Sequence, residues 1–315
     1  MLSGFSSEKK ALDVEQIQRQ LETRFFGIED KLIYLPIVDS TNVIAMQLAS
    51  KRPDEGVVVL TDSQTAGKGR LGRRWVDVFG CNVLSSTLLR PLFPLHLLVM
   101  IASLAVVDAI AETCGSFATI KWPNDVLIGE RKVAGILIET SHDRNGQLVA
   151  ILGIGVNVNG HIQNLPVGAS LVTSLSSHDG DGHQGVPLPQ QTDETAQTSL
   201  MATATTLETE CGHVVSREAL IAHLLRHIET DYLALQQEVR DTFSMALADA
   251  PASHLMRERW RSQLSTLGRS IVVRQGQTVT DGIAEDVDDN GELLLRRHSG
   301  ELVRITWGDV GYPTG

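Results

Sequence analysis

The chain reads as an α+β protein: a mixed, mainly antiparallel sheet with flanking helices, followed by a small all-β segment. Three observations predict this. The β-branched runs 133–140 and 148–158 are joined across Asn145-Gly146, a dipeptide suited to a tight hairpin turn. Helical periodicity falls between groups of such strands, the arrangement of an α+β fold. From Gly268 onward only short strand signals separated by turn residues remain.

The elements follow in order. Residues 12–21 carry apolar side chains at 14, 17 and 21, the spacing of one amphipathic helix. A strand is predicted over 32–38, and Asp39 or Ser40 offers an N-cap for a helix over 42–49. The run GVVVL at 56–60 is a strand that feeds straight into a glycine-rich basic loop. The apolar stretch 97–107, stopped by Asp108, reads as a buried helix too short for a bilayer, which takes roughly 20 residues. A short strand at 120–122 is broken by Pro123, and the hairpin follows. From 174 to 206 the composition turns polar with few large apolar residues, which predicts a mobile insertion with little surface to bury. Order is expected to return near Leu207. Ser216 caps a helix whose Leu220, Leu224, Ile228 and Tyr232 recur at helical spacing, and another helix contains 256–264. Strands at 270–274, 278–287, 292–297 and 302–306, with a turn at Asp289-Asn290-Gly291, make a small barrel. This divides the chain into a helical extension over 1–30, a main unit over 31–264 and a C-terminal unit over 268–315.

At 315 residues and 42% hydrophobic content the chain is long and apolar enough for a sizeable core, so global disorder is excluded. Aromatic content is only 4%, which leaves the core to Leu, Ile, Val and Ala. Cys81, Cys114 and Cys211 are odd in number and widely spaced, fitting neither a disulfide framework nor a zinc site. The first 30 residues lack the apolar core of about 7 to 15 residues that a signal peptide needs. A cytoplasmic protein with no membrane association is expected.

The most informative segment is GKGRLGRRW, from Gly67 to Trp75. It places Lys68, Arg70, Arg73 and Arg74 among glycines with no acid, in a chain of formal net charge −11. Glycines let backbone approach a ligand closely, and arginine forks suit phosphate oxygens, so a phosphate-binding loop is predicted. In KWPND, Pro123 keeps Trp122 out of helical conformation and presents Asn124 and Asp125 at a strand end. An amide beside a carboxylate suits Mg²⁺, which leans on one carboxylate plus nucleotide phosphates. An Asx turn is the structural alternative, and Asp125 as proton acceptor for an incoming amine is the chemical one. Lys132 opens the apolar strand VAGILIE and sits where a buried sheet meets solvent.

Two further blocks are DSTN at 39–42 and GIGVNVN at 153–159. With Gln64, the glycine loop, KWPND and RKVAGILIE, they fall in the order and rough spacing of the biotin protein ligases, the enzymes that attach biotin to carboxylase carrier proteins. The chain resembles that family from about Leu32 to Tyr312. The resemblance implies a class II synthetase-like sheet with an SH3-like C-terminal barrel, and use of ATP, Mg²⁺ and biotin. It implies that Ser40 and Thr41 meet the ureido end of biotin, which the Gln64 amide would also read, that Asn42 is a further binding residue, and that the loop with Gly67, Lys68, Gly69, Arg70 and Arg73 closes over biotin and the adenylate. Trp75 would stack near the adenine, and Asn157 would face the nucleotide. Lys132 would contact both the biotin carboxylate and the α-phosphate, while Gly135 and Gly153 would leave bare backbone under the biotin rings. Lys132, Arg70 and Asp125 are thus the expected catalytic residues, and Asn124 and Asp125 the expected metal ligands. Lys68 and Leu71 depart from the family, whose best-known member carries arginines there; charge is lost at Leu71.

The implied reaction forms biotinyl-5′-AMP and then passes biotin to a lysine of a biotin carboxyl carrier protein. A lipoate ligase shares the adenylation logic and is the enzyme alternative. A nucleic-acid-binding module is the alternative of another class, opposed by the acidic balance of the chain. With only 38 residues ahead of Asp39 and no second helix with a basic recognition face evident, a monofunctional ligase without specific DNA binding is expected. The sequence does not fix the oligomeric state, and a homodimer is allowed.

Overall fold

The structure, a computed structural model, describes residues 10–51, 54–162, 203–242 and 251–313. Its larger sheet has seven strands: β1 Leu32–Val38, β2 Val58–Gln64, β3 Asn82–Leu89, β4 Thr119–Lys121, β5 Asp125–Ile128, β6 Arg131–His142 and β7 Leu148–Asn157. They lie in the order β1-β2-β3-β7-β6-β5-β4, with β1 and β2 parallel and the other pairs antiparallel. The six helices among the described residues are α1 Val14–Gln20, α2 Thr41–Ala49, α3 Leu95–Cys114, α4 Leu207–Cys211, α5 Arg217–Thr242 and α6 Ala252–Ser262. A second, all-antiparallel sheet is formed by β8 Ser270–Gln275, β9 Thr278–Val287, β10 Leu293–Arg296, β11 Leu302–Ile305 and β12 Asp309–Gly311, in the order β11-β10-β9-β8-β12.

Both faces of the larger sheet are covered, which explains why residues 57–60, which lead into and open β2, are an unbroken apolar run. Val58 and Leu60 join the main core with α3 and α5, while Val57 and Val59 join a smaller cluster under α2. The main core continues into the second sheet through Ile271, Val273, Ala284, Leu293 and Leu295. The join is also hydrogen-bonded: the Trp122 indole donates to the Gly291 carbonyl at 2.9 Å, and the Trp122 amide donates to Thr266 Oγ1 at 3.0 Å.

The expected hairpin is present, its turn closed by Asp143 and Gln147 around Gly146 at φ 75°. Ser216 caps α5 by accepting from the Ala219 amide. Two readings are corrected. Asp108 does not stop α3, because it and Glu112 lie on the face that meets Arg259, Arg226 and His227; the helix runs on to a left-handed Gly115. At 20 residues α3 is long and apolar enough to cross a membrane, yet it is a buried core helix here. β3 escapes sequence reading because it is buried at every position and so shows no alternation. The polar insertion lies outside the described residues up to 202. Its last four residues are already part of the body, with the Thr205 amide donating to the Lys132 carbonyl at 2.9 Å and both Thr205 and Thr206 buried.

Candidate functional site

The site begins as a gap in the α2 face of the sheet. Along β7, Val149 and Ile151 pack under α2, but the next two positions on that face are Gly153 and Gly155. Gly155 pairs with Gly135 of β6, and Leu137 pairs with Gly153. The sheet is therefore bare at the N-terminus of α2, and a cavity opens there.

Side chains of α2, β2, β3 and β6 are tied together around it. Gln64, at the end of β2, accepts from the Thr41 amide at 2.9 Å and from the Thr41 hydroxyl at 3.2 Å. Ser86 of β3 lies 2.7 Å from Thr41 Oγ1 and 2.5 Å from Asn42 Oδ1. Asn42 donates to Glu139 at 2.8 Å, and Glu139 holds Lys68 at 3.0 Å. Ser40 is the N-cap of α2 by position, but its side chain makes no capping bond. It lines the cavity instead, which leaves its hydroxyl for another partner.

The glycine loop folds over this opening as a small hairpin. Gly69 donates to the Arg73 carbonyl and Trp75 to the Gly67 carbonyl, with Leu71 at the exposed tip in left-handed conformation at φ 56°. Arg70 turns inward and donates to Asn124 Oδ1 at 2.6 Å. Burial lowers the Arg70 pKa from its ordinary value, with Asp125 opposing the shift. Trp75 lays its ring over Gly135 and Gly155, and its indole N–H is buried with no hydrogen-bond partner among the described residues. Behind Gln64, Asp77 accepts the Gln64 amide at 3.0 Å; burial holds its carboxyl above the usual carboxylate range.

A second, open cavity lies against the first and shares Gly69, Arg70, Trp75, Asn124 and Lys132 with it. Lys132 is fixed there by Asp125 Oδ1 at 2.6 Å. Arg73 reaches across to Asp309 of the second sheet. A carboxylate and a phosphate entering from the two sides would meet at Lys132 and Arg70.

Most sequence-predicted residues converge on these cavities: Ser40, Thr41, Asn42, Gln64, Lys68, Gly69, Arg70, Trp75, Asn124, Lys132, Gly135 and Gly153 line the first, and Arg73 and Asp125 the second. Gly67 lines neither and is buried at the base of the loop, against Trp75 and Gln64. Asn157 is a second exception. It lines neither cavity and is held between Asn82, at 3.0 Å, and the Thr205 carbonyl, at 3.1 Å, tying β3 and β7 to the returning chain. The bare backbone also has an internal reason: Gly135 faces Trp75 and Lys132, and Gly153 faces Asn42. Ser86, Glu139 and Gly155 were missed because their roles arise from pairings between distant strands; only the GxG spacing of 153 and 155 marked one of them in the sequence.

A Cβ at Gly153 would stand 2.3 Å from Asn42 Oδ1. Gly153→Ala should therefore push Asn42 off both Ser86 and Glu139 and cost about 1–3 kcal/mol, the scale of overpacking in a tight interior. A denaturant midpoint equal to that of the parent would show that Asn42 yields without loss.

A family model described as biotin/lipoate A/B protein ligase matches residues 34–159, and one for the biotin protein ligase C-terminal domain matches residues 266–310. The bifunctional ligase/repressor BirA of Bacillus subtilis is 31% identical over 302 residues, covering 95% of this chain and 78% of the relative. The biotin--[acetyl-CoA-carboxylase] ligase of Paracoccus denitrificans is 32% identical over 270 residues, 84% of this chain and 94% of the relative. Among solved structures, the biotin protein ligase of Aquifex aeolicus in complex with biotin and ATP is similar in fold, with TM-score 0.63 and 24% identity over 89% of this chain and 97% of that one.

Proposed function

The chain belongs to the biotin protein ligase family, and from that premise we propose how its two cavities share the reaction. The enzyme is an ATP-dependent ligase that activates biotin and transfers it to the carrier protein of a biotin-dependent carboxylase. The observation that carries our assignment of the site is the common wall: Lys132 and Arg70 face both cavities at once.

In this reading biotin occupies the first cavity, with Ser40, Thr41 and Gln64 at its ureido end and its carboxylate toward Lys132. ATP lies across the common wall with its α-phosphate at Lys132 and Arg70. A biotin carboxylate oxygen attacks the α-phosphorus, the bond to the β-phosphate breaks, and pyrophosphate leaves. The ε-amine of the carrier lysine then attacks the acyl carbonyl and AMP departs. No nucleophile of the enzyme is needed. Catalysis comes from holding two anions together and stabilising the charge that develops on their oxygens. The indole N–H of Trp75, buried without a partner among the described residues, marks a further donor for the nucleotide.

Mg²⁺ does not fit as a resident ion. Asn124 Oδ1 already accepts from Arg70 and Asp125 Oδ1 from Lys132, and among the described residues no three acidic, histidine or cysteine side chains cluster as a metal cage. We place Mg²⁺ with ATP as the substrate complex and give Asp125 two tasks: Oδ1 positions Lys132, and the other oxygen accepts the proton of the incoming amine. The same proposal includes a main unit over 31–264 with a C-terminal unit over 268–315, cytoplasmic residence, and a ligase role without operator binding. A lipoate ligase has less support, since the Paracoccus denitrificans relative is named as a biotin ligase and the model for the biotin protein ligase C-terminal domain matches residues 266–310.

Incubation with ATP, Mg²⁺ and biotin should yield biotinyl-5′-AMP, and addition of a biotin carboxyl carrier domain should yield one biotinylated lysine by mass spectrometry. AMP formation that depends on lipoate and ignores biotin would overturn the substrate assignment.

A further inference from the structure

One carboxylate outside the chemistry proposed above joins the glycine loop to the wall of the first cavity. Glu139 follows Gly135 and Leu137 on one face of β6. Its Oε2 accepts from the Asn42 carboxamide at 2.8 Å, and its Oε1 holds Lys68 Nζ at 3.0 Å. Asn42 is buried at the start of α2, where its Oδ1 meets Ser86 Oγ at 2.5 Å. Lys68 lies in the first arm of the loop hairpin, paired with Arg74 in the second. Arg70 and Arg73 tie the hairpin towards Asn124 and Asp309, on the side of the second cavity, whereas Lys68 ties it towards α2.

The two bonds of Glu139 are unequal. The Asn42 amide is buried and costly to leave without an acceptor, so that bond keeps the carboxylate in place. The pair with Lys68 is partly exposed on both sides, and such a pair is weak enough to open and re-form. Both partners are donors, and a carboxylate presents an oxygen to each. A glutamine in the same seat would present one oxygen and one further donor, so the Asn42 bond or the Lys68 bond would give way.

We infer that Glu139 is a positioning residue that latches the glycine loop to the wall of the biotin cavity, with Oε2 seated on Asn42 while Oε1 catches or releases Lys68. The inference rests on the biotin-adenylating reading of the two cavities. A ligand that fills the first cavity holds Asn42 still, so the second oxygen of Glu139 meets the loop in one place. Opening of the loop, and with it escape of the acyl-adenylate, is then set by a weak ion pair outside the chemistry.

The test uses the full chain and follows release of biotinyl-5′-AMP formed on the enzyme from labelled biotin and chased with unlabelled adenylate. Glu139→Gln should release it about twofold to fivefold faster than the parent, the range for loss of one partly exposed ion pair. Single-turnover adenylation at saturating biotin and ATP should stay within about twofold, because Glu139 lines neither cavity. Lys68→Met should speed release to a similar extent. The double variant should be no faster than the quicker single one, since both changes open the same contact. Release from the parent should quicken as salt is raised, and that response should be shallower in Glu139→Gln. Parental release from Glu139→Gln, or additive effects of the two changes, would overturn the latch. So would a fall in the single-turnover rate as large as the gain in release, because Glu139 would then act in the chemistry. If Glu139→Gln does not fold, parental release from Lys68→Met overturns the latch in its place. Should the parent make no biotinyl-5′-AMP, the biotin reading fails, and the latch is still read from trypsin cleavage after Arg73 and Arg74. Glu139→Gln should hasten that cleavage about twofold or more, and an unchanged rate would leave no latch.

Discussion

Lys132→Ala should lose roughly 10²-fold to 10³-fold in the adenylation step, the scale seen when one pre-organised donor is removed from a water-excluded site. The ammonium stands where both cavities meet, held by Asp125 at 2.6 Å. Its charge matters most while negative charge is shared between the attacking carboxylate and the α-phosphate. The loss should therefore fall on turnover more than on the KM for biotin or ATP. Lys132→Arg should restore only part of the rate, since a wide planar fork replaces a compact ammonium and cannot keep the same seat against Asp125. Stability should change little, because the pair is partly exposed and such pairs are worth about 0–1 kcal/mol. Single-turnover formation of biotinyl-5′-AMP measures the effect. A folded Lys132→Ala protein that adenylates biotin at the parental rate would remove Lys132 from the chemistry.

Lys132 also shows what the sequence made legible. Its motif, the glycine loop and DSTN are local patterns in which residue type and neighbours already state a chemistry, and the structure brings them to one wall. Helix ends and the hairpin were legible for the same reason: Ser216, Gly146 and Pro123 act on the backbone next to them. What stayed hidden depends on distant chain. Asn42 reads as the last residue of a motif, yet its carboxamide is held by Ser86 and Glu139, 44 and 97 residues away. Gly155 matters only because Gly135 is its partner across the hairpin and Trp75 lies on both. Asn157 was expected from the resemblance to face the nucleotide, but Asn82 and Thr205 hold its side chain.

Arg217→Met should destabilise the fold by about 3–5 kcal/mol, the cost of leaving one member of a buried ion pair behind. Arg217 opens α5, where a positive charge opposes the helix dipole and would ordinarily be disfavoured. It is there because its guanidinium is almost fully buried and its two terminal nitrogens are both bonded. One nitrogen donates to Asp62 Oδ1 at 2.7 Å and to the Asn82 carbonyl at 3.2 Å, and the other donates to the Lys10 carbonyl at 2.5 Å. Asp62 has no exposed surface and also accepts from the Leu12 amide at 3.3 Å and from the Tyr34 hydroxyl. The pair thus joins the chain ahead of α1 to β1, β2, β3 and α5. Without Arg217, Asp62 remains in the interior with two neutral donors and no counter-charge, and the Asn82 and Lys10 carbonyls each lose a donor. The melting temperature should fall by about 5–10 °C. Asp62→Leu combined with Arg217→Met should recover much of the loss, since an apolar pair needs no compensation. That recovery separates an unpaired charge from mere loss of packing. If the double variant were as unstable as the sum of its single changes, the pair would owe its place to the backbone bonds of Arg217 rather than to charge.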